Sequence, residues 1–372
     1  MYALLRPLLF RLDPERAHTL TLHALRFTGQ FAPLRFLVAK YFEAPPKPVT
    51  AFGLTFRNPV GLAAGYDKDG LGARGLATLG FSHLELGTVT PRPQPGNPKP
   101  RVFRLPEDRA VINRMGFPGL GADFLQKQLS VSRPLSSVSR PLFPVSRPLS
   151  SVLLGINLGK NKDTPNEDAA RDYLTLYDQF APLADYLAIN VSSPKTVGLR
   201  RLQARDALEG LLGQLAEKRV RKLAGERVSE STLQQPTQPN NKQTEHSAPP
   251  ILVKLAPDLT DDELDDALAA ITRTGMDGVI ATNTTLRREN LRSPRAGETG
   301  GLSGAPLTAL STDIIRKIHT RTEGRLPIIG AGGIISPDDA KAKLDAGAVL
   351  VQVYTGLIYA GPGLVKAIVK SL

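Results

Sequence analysis

The stretch Leu326-Pro327-Ile328-Ile329-Gly330-Ala331-Gly332-Gly333-Ile334-Ile335-Ser336-Pro337-Asp338 decides the fold. Its apolar run, Leu326–Gly330, has strand length and stops in small residues. Ser336-Pro337-Asp338 then reads as a helix N-cap with proline in the first turn. A strand apolar at successive positions is buried on both faces, as parallel strands covered by helices are. Seven other runs have the same form: Pro59–Ala64, Phe81–Val89, Val152–Leu158, Tyr186–Val191, Ile251–Ala256, Gly278–Thr282 and Val349–Val353. Each is followed by a segment long enough for a helix. Eight β-then-α units predict an α/β fold, a (β/α)8 TIM barrel, with its chemistry where the strands end.

Composition fits one large barrel with additions. The 372 residues carry a net charge of +12 and no cysteine, which removes disulfides, thiolate nucleophiles and Cys-ligated zinc. No apolar run approaches the ~20 residues of a membrane span. No Lys/Arg block is interleaved with stacking aromatics, so nucleic acid is not an expected partner. The five histidines, His18, His23, His83, His246 and His319, are scattered, and no metal-ligand cluster appears.

Residues 1–48 form a separate unit ahead of the barrel at 49–372. Leu4, Leu5, Leu8, Leu9, Phe10 and Leu12 are crowded around Arg6 and Arg11. Asp13-Pro14-Glu15 opens a helix to about Phe27, and a second is expected over Pro33–Phe42. Two amphipathic helices with basic edges fit a membrane surface, or equally an extra helical layer on the barrel floor. Two inserts, at about 130–151 and 229–250, read as polar surface loops. The first repeats Val-Ser-Arg-Pro-Leu at Val131, Val138 and Val145, and its prolines forbid a continuous helix. Each follows a helix (Leu120–Leu129, Ala207–Ala224) and precedes a strand, which places it on the floor of the barrel, opposite the chemistry.

The strand ends are polar. The first gives Ala63-Ala64-Gly65-Tyr66-Asp67-Lys68-Asp69-Gly70, and the second Gly87-Thr88-Val89-Thr90. A hairpin from Arg101–Leu105 and Ala110–Ile112 then delivers Asn113-Arg114-Met115-Gly116-Phe117. Asn157, Asn190 and Asn283 close strands three, four and six. Lys254 sits inside strand five, where a cation is costly unless it faces a partner. The Gly-rich turns after strands seven and eight, with a helix start nearby, have the form of a barrel phosphate site. Together these residues describe a planar cofactor anchored by phosphate, a lysine at its edge, and amides for a second planar ligand.

These motifs, with Asn190-Val191-Ser192-Ser193-Pro194 and Ala281-Thr282-Asn283-Thr284-Thr285, resemble dihydroorotate dehydrogenases of the quinone-dependent, membrane-associated class (class 2). The resemblance spans nearly the whole chain apart from the inserts. It implies oxidation of dihydroorotate to orotate in pyrimidine biosynthesis, with FMN as hydride acceptor and a membrane quinone as final acceptor. It implies FMN contacts from Ala63, Ala64, Gly65, Thr88, Asn157, Asn190, Lys254, Thr282, Gly304, Gly333, Tyr354 and Thr355. Substrate contacts are implied for Lys68, Asn113, Arg114, Met115, Gly116, Phe117, Asn190, Asn283 and Thr284. Ser193 falls at the catalytic base, and Thr196 is a candidate to relay its proton. The classes that use soluble acceptors have cysteine at the Ser193 position, which this chain lacks. His18, Arg104 and Tyr354 match positions lining a quinone passage.

The resemblance favours the membrane reading of residues 1–48. The expected location is the cytoplasmic side of a bacterial-type cell membrane, as a peripheral protein that is a monomer or weak homo-oligomer. One motif departs: Lys195 follows Ser192-Ser193-Pro194 where the family has asparagine, which puts one substrate contact in question. A flavin barrel acting on another dihydropyrimidine is the alternative reading.

Overall fold

The computed structural model describes residues 2–132, 152–193, 199–231 and 248–372. Its first element that the sequence reading lacks is α1 (Tyr2–Arg11), followed by the expected α2 (Pro14–Gln30) and α3 (Ala32–Phe42). The extension therefore has three helices, not two. Pro7 and the interspersed arginines hide α1 from periodicity, and contacts with the barrel hold it. Tyr2 donates to the Ile358 carbonyl, Arg6 to the Tyr359 carbonyl at 2.9 Å, and Phe10 meets the Tyr359 ring edge-on at 5.4 Å. Asp13 caps α2 as read, accepting from the Glu15 and Arg16 amides.

Next comes a small hairpin, β1 (Val49–Ala51) and β2 (Leu54–Phe56). The barrel strands are β3 (Val60–Leu62), β4 (His83–Val89), β7 (Leu153–Leu158), β8 (Tyr186–Asn190), β9 (Ile251–Leu255), β10 (Gly278–Ala281), β12 (Ile328–Ala331) and β13 (Leu350–Val353). They pair in parallel, neighbour to neighbour, and β13 closes the ring on β3. Each lies within or one residue beyond the apolar run that announced it. β5 (Val102–Leu105) and β6 (Ala110–Asn113) form the expected hairpin, and β11 (Gly301–Gly304) adds a third antiparallel strand to it.

Because side chains alternate along a strand, the barrel interior fills in layers. Near the floor, His83 and Tyr186 fill space that Gly61 and Gly155 leave open. A Cβ on Gly61 would lie 2.0 Å from His83 Nε2, and one on Gly155 2.0 Å from Tyr186 Cζ. Phe56 of the β1–β2 hairpin stands edge-on to His83 at 5.2 Å and plugs that end. Apolar Leu252, Ile280, Ile329 and Leu350 complete the interior. The next positions toward the strand ends are polar, and there the site begins.

Helices α1 and α2 lie beside the mouth of the barrel, while α3 packs along its side and ends near Gly80, ahead of β4. Arg101, next to β5, binds Glu15 of α2 at 3.0 Å. Arg104 of β5 donates to the carbonyls of Leu9, at 3.0 Å, and of Leu12. The inserts are bracketed by helices Ala122–Ser132 and Arg205–Ser231. Most of both inserts, and Lys195 and Thr196 with them, lie outside the described residues.

Candidate active site

Glu85 on β4 is wholly buried and collects four donors. Lys254 Nζ from β9 approaches at 3.2 Å, Asn157 Nδ2 from β7 at 2.8 Å, Gln352 Nε2 from β13 at 2.7 Å, and the Tyr186 hydroxyl from β8 at 3.3 Å. A buried carboxylate needs such pairing and hydrogen bonding. One layer higher, Thr88 donates to Asn157 Oδ1 at 2.5 Å, and Asn190 Nδ2 reaches Thr88 Oγ1 at 2.9 Å and Asn157 Oδ1 at 3.0 Å. Asn283 Nδ2 then bonds Ser192 Oγ at 3.0 Å and Asn190 Oδ1 at 3.3 Å. Each amide orientation in this stack is set by the one below it.

Above the stack lies a cavity with about 120 Å³ open to the centre of a water molecule. Its wall includes Ala63, Ala64, Gly65, Lys68, Thr88, Asn113, Met115, Gly116, Phe117, Asn190, Ser193, Lys254, Thr282, Asn283, Thr284, Gly304, Gly333, Tyr354 and Thr355. Four other residues of the sequence reading fall elsewhere. Asn157 lies beneath the wall, in the stack. The Arg114 side chain turns away to Glu298 Oε2 at 2.8 Å and over the Phe103 ring at 4.6 Å. It alternates with Asn113 and Met115, which face the cavity, so its side chain is not part of the wall. Arg104 is engaged with α1, as described. His18 stands edge-on to Tyr66 at 5.1 Å, and Tyr66 to Tyr354 at 5.8 Å, giving an aromatic file from α2 to the cavity wall.

Several contributors were missed: Glu85, Gln352, Ser303, Leu307 and Ile334 at the cavity or just under it, and Arg200. Arg200 donates to the carbonyls of Ser192 at 3.2 Å and Thr284 at 2.9 Å, and pairs with Asp258 at 2.8 Å. It ties the loop that bears Ser193 to the loop that bears Thr284. Gln94 and Asn97 do the same for the 113–117 loop, donating to the carbonyls of Phe117 at 3.0 Å and Arg114 at 2.8 Å. Ser193 itself is 2% exposed on the cavity wall.

The cavity wall carries two lysines and no carboxylate. Such a lining favours anionic ligands. Burial pulls Lys68 down to about 8, and its ammonium rests on the Gly65 carbonyl at 3.0 Å. Burial, with Lys68 nearby, takes His18 down to about 4.

A planar ring with a phosphate tail fits this wall. Gln352 gives its NH2 to Glu85 and to the Tyr186 hydroxyl, which leaves Oε1 a buried acceptor without a partner. An N–H at the edge of a ring would satisfy it. At the other end, Gly304, Gly332 and Gly333 have φ of 101°, 99° and 75°. A Cβ on Gly304 would lie 2.3 Å from the Arg109 oxygen, and one on Gly333 2.3 Å from Thr308 Cα. Only glycine permits that backbone there. The helix beginning at Pro337 is closed by a capping box: the Asp339 carboxylate accepts from the amides of Ile335 and Ser336, and Ser336 Oγ accepts from the Asp339 amide.

The family model "Dihydroorotate dehydrogenase" matches residues 48–372. "Dihydroorotate dehydrogenase (quinone)" of Acidithiobacillus ferrooxidans is 48% identical over 377 residues, which cover 100% of this chain and 94% of that one. Its namesake in Anaeromyxobacter sp. (strain K) is 47% identical over 376 residues, covering 100% of this chain and 92% of the relative. The crystal structure of the Eimeria tenella DHODH in complex with ferulenol superposes with a TM-score of 0.77 at 40% identity. The match covers 96% of this chain and 90% of that one.

Proposed function

The chain belongs to the dihydroorotate dehydrogenase family, in its quinone-dependent class, and on that premise we propose that FMN lies in the barrel-mouth cavity with Ser193 as the catalytic base. The reaction is oxidation of dihydroorotate to orotate in pyrimidine biosynthesis, by a flavin-dependent route that ends on quinone. One observation carries the assignment of the site. Wall residues from Ala63 to Gly356 meet at a single cavity whose only charges are the two lysines. Nothing in the wall favours the alternative dihydropyrimidine.

A flavin held there would supply the hydride acceptor for C6 of dihydroorotate. Asn113, Asn190, Asn283 and Thr284 hold the substrate's amide edges, and Lys68 its carboxylate, which fixes a reactive approach. Ser193 removes the C5 proton. Lys254, ion-paired with Glu85 at 3.2 Å, would stand where negative charge develops at the ring edge. Ala63, Ala64, Gly65, Thr88, Thr282 and Gln352 would hold the ring, and Gly304, Gly333 and Thr355 the phosphate. Asn157 acts from below, by orienting Thr88 and Asn190.

Lys68 gives this reading a pH dependence. Its ammonium is half lost at about pH 8, so its hold on an anionic substrate weakens above that. KM for dihydroorotate should rise by about tenfold between pH 8 and 9.5. In Lys68→Met, KM should start high and stay flat. A wild-type KM level across that range would remove Lys68 from the carboxylate site.

We further propose that α1–α3 bind the cytoplasmic membrane surface peripherally, and that quinone arrives past His18 and Tyr354. Leu4, Leu8, Phe27, Leu37 and Tyr41 are 57–79% exposed, an apolar surface of the kind that marks interaction sites. No helix among the described residues is long and apolar enough to cross a membrane. Replacing Leu4, Leu8 and Leu37 together by serine touches no buried side chain. It should weaken binding to anionic vesicles by at least ~tenfold and raise KM for a long-chain quinone, with dye-linked turnover unchanged. Equal vesicle binding by the triple variant would sink the membrane assignment.

A further inference from the structure

Lys343, on the helix Pro337–Asp345, is wholly buried outside the cavity wall and has no part in the steps above. Its Nζ donates to Ser311 Oγ at 2.5 Å, Thr312 Oγ1 at 3.1 Å and the Thr308 carbonyl at 3.5 Å. All three are neutral oxygens. No carboxylate among the described residues forms an ion pair with it, and Asp339, one turn back, is taken up by its own cap. A buried ammonium without an anion is costly. Burial accordingly draws it down to about 7.

What lies beyond those oxygens is the glycine turn. Ser311 Oγ donates to the Gly332 carbonyl at 2.9 Å, and Thr308 Oγ1 donates to the Gly333 carbonyl at 2.6 Å. Lys343 is thus one side chain removed from both glycines. The cavity has the complementary deficit. Of its two lysines, Lys254 is paired with Glu85, and Lys68 sits on the strand-one loop that presents it to substrate. The phosphate end, bounded by Ser303, Gly304, Gly333 and Thr355, carries no cation of its own.

We propose that Lys343 is the counter-charge for the flavin phosphate, a positioning residue that acts through Ser311 and Thr308 from behind the Gly332–Gly333 turn and selects FMN over riboflavin. This rests on the FMN reading above. The ligand phosphate supplies the anion the buried ammonium lacks. The ammonium makes the electrostatic potential at the turn more positive and polarises the Ser311 hydroxyl that holds the Gly332 carbonyl. A purely structural lysine would instead support the turn for either flavin alike.

The test strips flavin from the full chain and measures Kd for FMN and for riboflavin in wild type, Lys343→Met and Lys343→Gln. Methionine matches the stem without the charge. Glutamine retains a donor for Ser311 and serves if the methionine variant does not fold. Both should lower the preference for FMN over riboflavin by about tenfold or more, with riboflavin affinity within about twofold of wild type. Parallel losses for both flavins, or an unchanged preference, would overturn the proposal. A wild type that binds both flavins equally would instead overturn the FMN reading on which it stands.

Discussion

Replacing Ser193 by alanine should leave a flavin-loaded protein whose turnover of dihydroorotate at neutral pH is lower by about 10²–10⁴-fold. The expectation follows from what surrounds the hydroxyl. Its cavity has no carboxylate and no histidine in the wall, and Lys68, the other group there able to take a proton, rests on the Gly65 carbonyl at 3.0 Å, where it is assigned to the substrate carboxylate. The loop is anchored independently of the hydroxyl, by Arg200 on the Ser192 carbonyl and Asn283 on Ser192 Oγ, so the fold should survive. Serine is a weak base, and wild-type rate should therefore rise with pH while the alanine variant's residual rate rises as bulk hydroxide takes over. Turnover by Ser193→Ala equal to wild type at neutral pH would refute the role.

Lys254→Met should be damaging in two separable ways. It leaves Glu85 a wholly buried carboxylate with no cation, a change that costs about 3–5 kcal/mol when one partner of a buried pair is removed. It also takes away the positive charge at the ring edge, which should slow the chemical step by about 10²-fold or more. Adding Glu85→Gln removes the uncompensated charge. The double variant should recover much of the unfolding free energy, measured by denaturant titration, and little of the turnover. The flavin reduction potential should fall in both variants. If turnover returns along with stability, Lys254 acts only as the partner of Glu85 and the account of the ring edge is wrong.

The eight strands were legible because each is buried on both faces and so writes a continuous apolar run into the sequence. Their ends were legible because Asn, Lys, Thr and Ser following such runs have no structural reason to be there. Glu85 carried the same signal as Lys254, a charge within an apolar strand, and answers the question of what Lys254 faces. It was missed because Phe81–Val89 was read for its end and not for its interior. Gln352 is one more polar residue of this kind, inside Val349–Val353.

Other features have no local signature. α1 contains Pro7 and depends on Tyr359 and Arg104, far away in sequence. β11 is the glycine-rich Gly301–Gly304, which becomes a strand only because β6 offers it a partner edge. Arg114 belongs to a motif, but a motif does not tell which way a side chain points, and alternation along the end of β6 turns it outward. The expected helix start at Ser336-Pro337 was right in place, and Asp339, two residues on from the proline, completes its cap by accepting from the Ser336 amide. Lys343 could not have been singled out among the chain's 47 Lys and Arg residues without the packing that buries it.

The central claim, that residues scattered from 63 to 356 assemble around one flavin serving both dihydroorotate and quinone, is tested most directly by anaerobic spectroscopy of the purified full chain. Stoichiometric dihydroorotate should bleach the bound flavin's visible absorbance in one fast phase, and a quinone analogue should then restore it. A flavin that dithionite bleaches but excess dihydroorotate does not, or a colourless protein that takes up no flavin, would contradict the account.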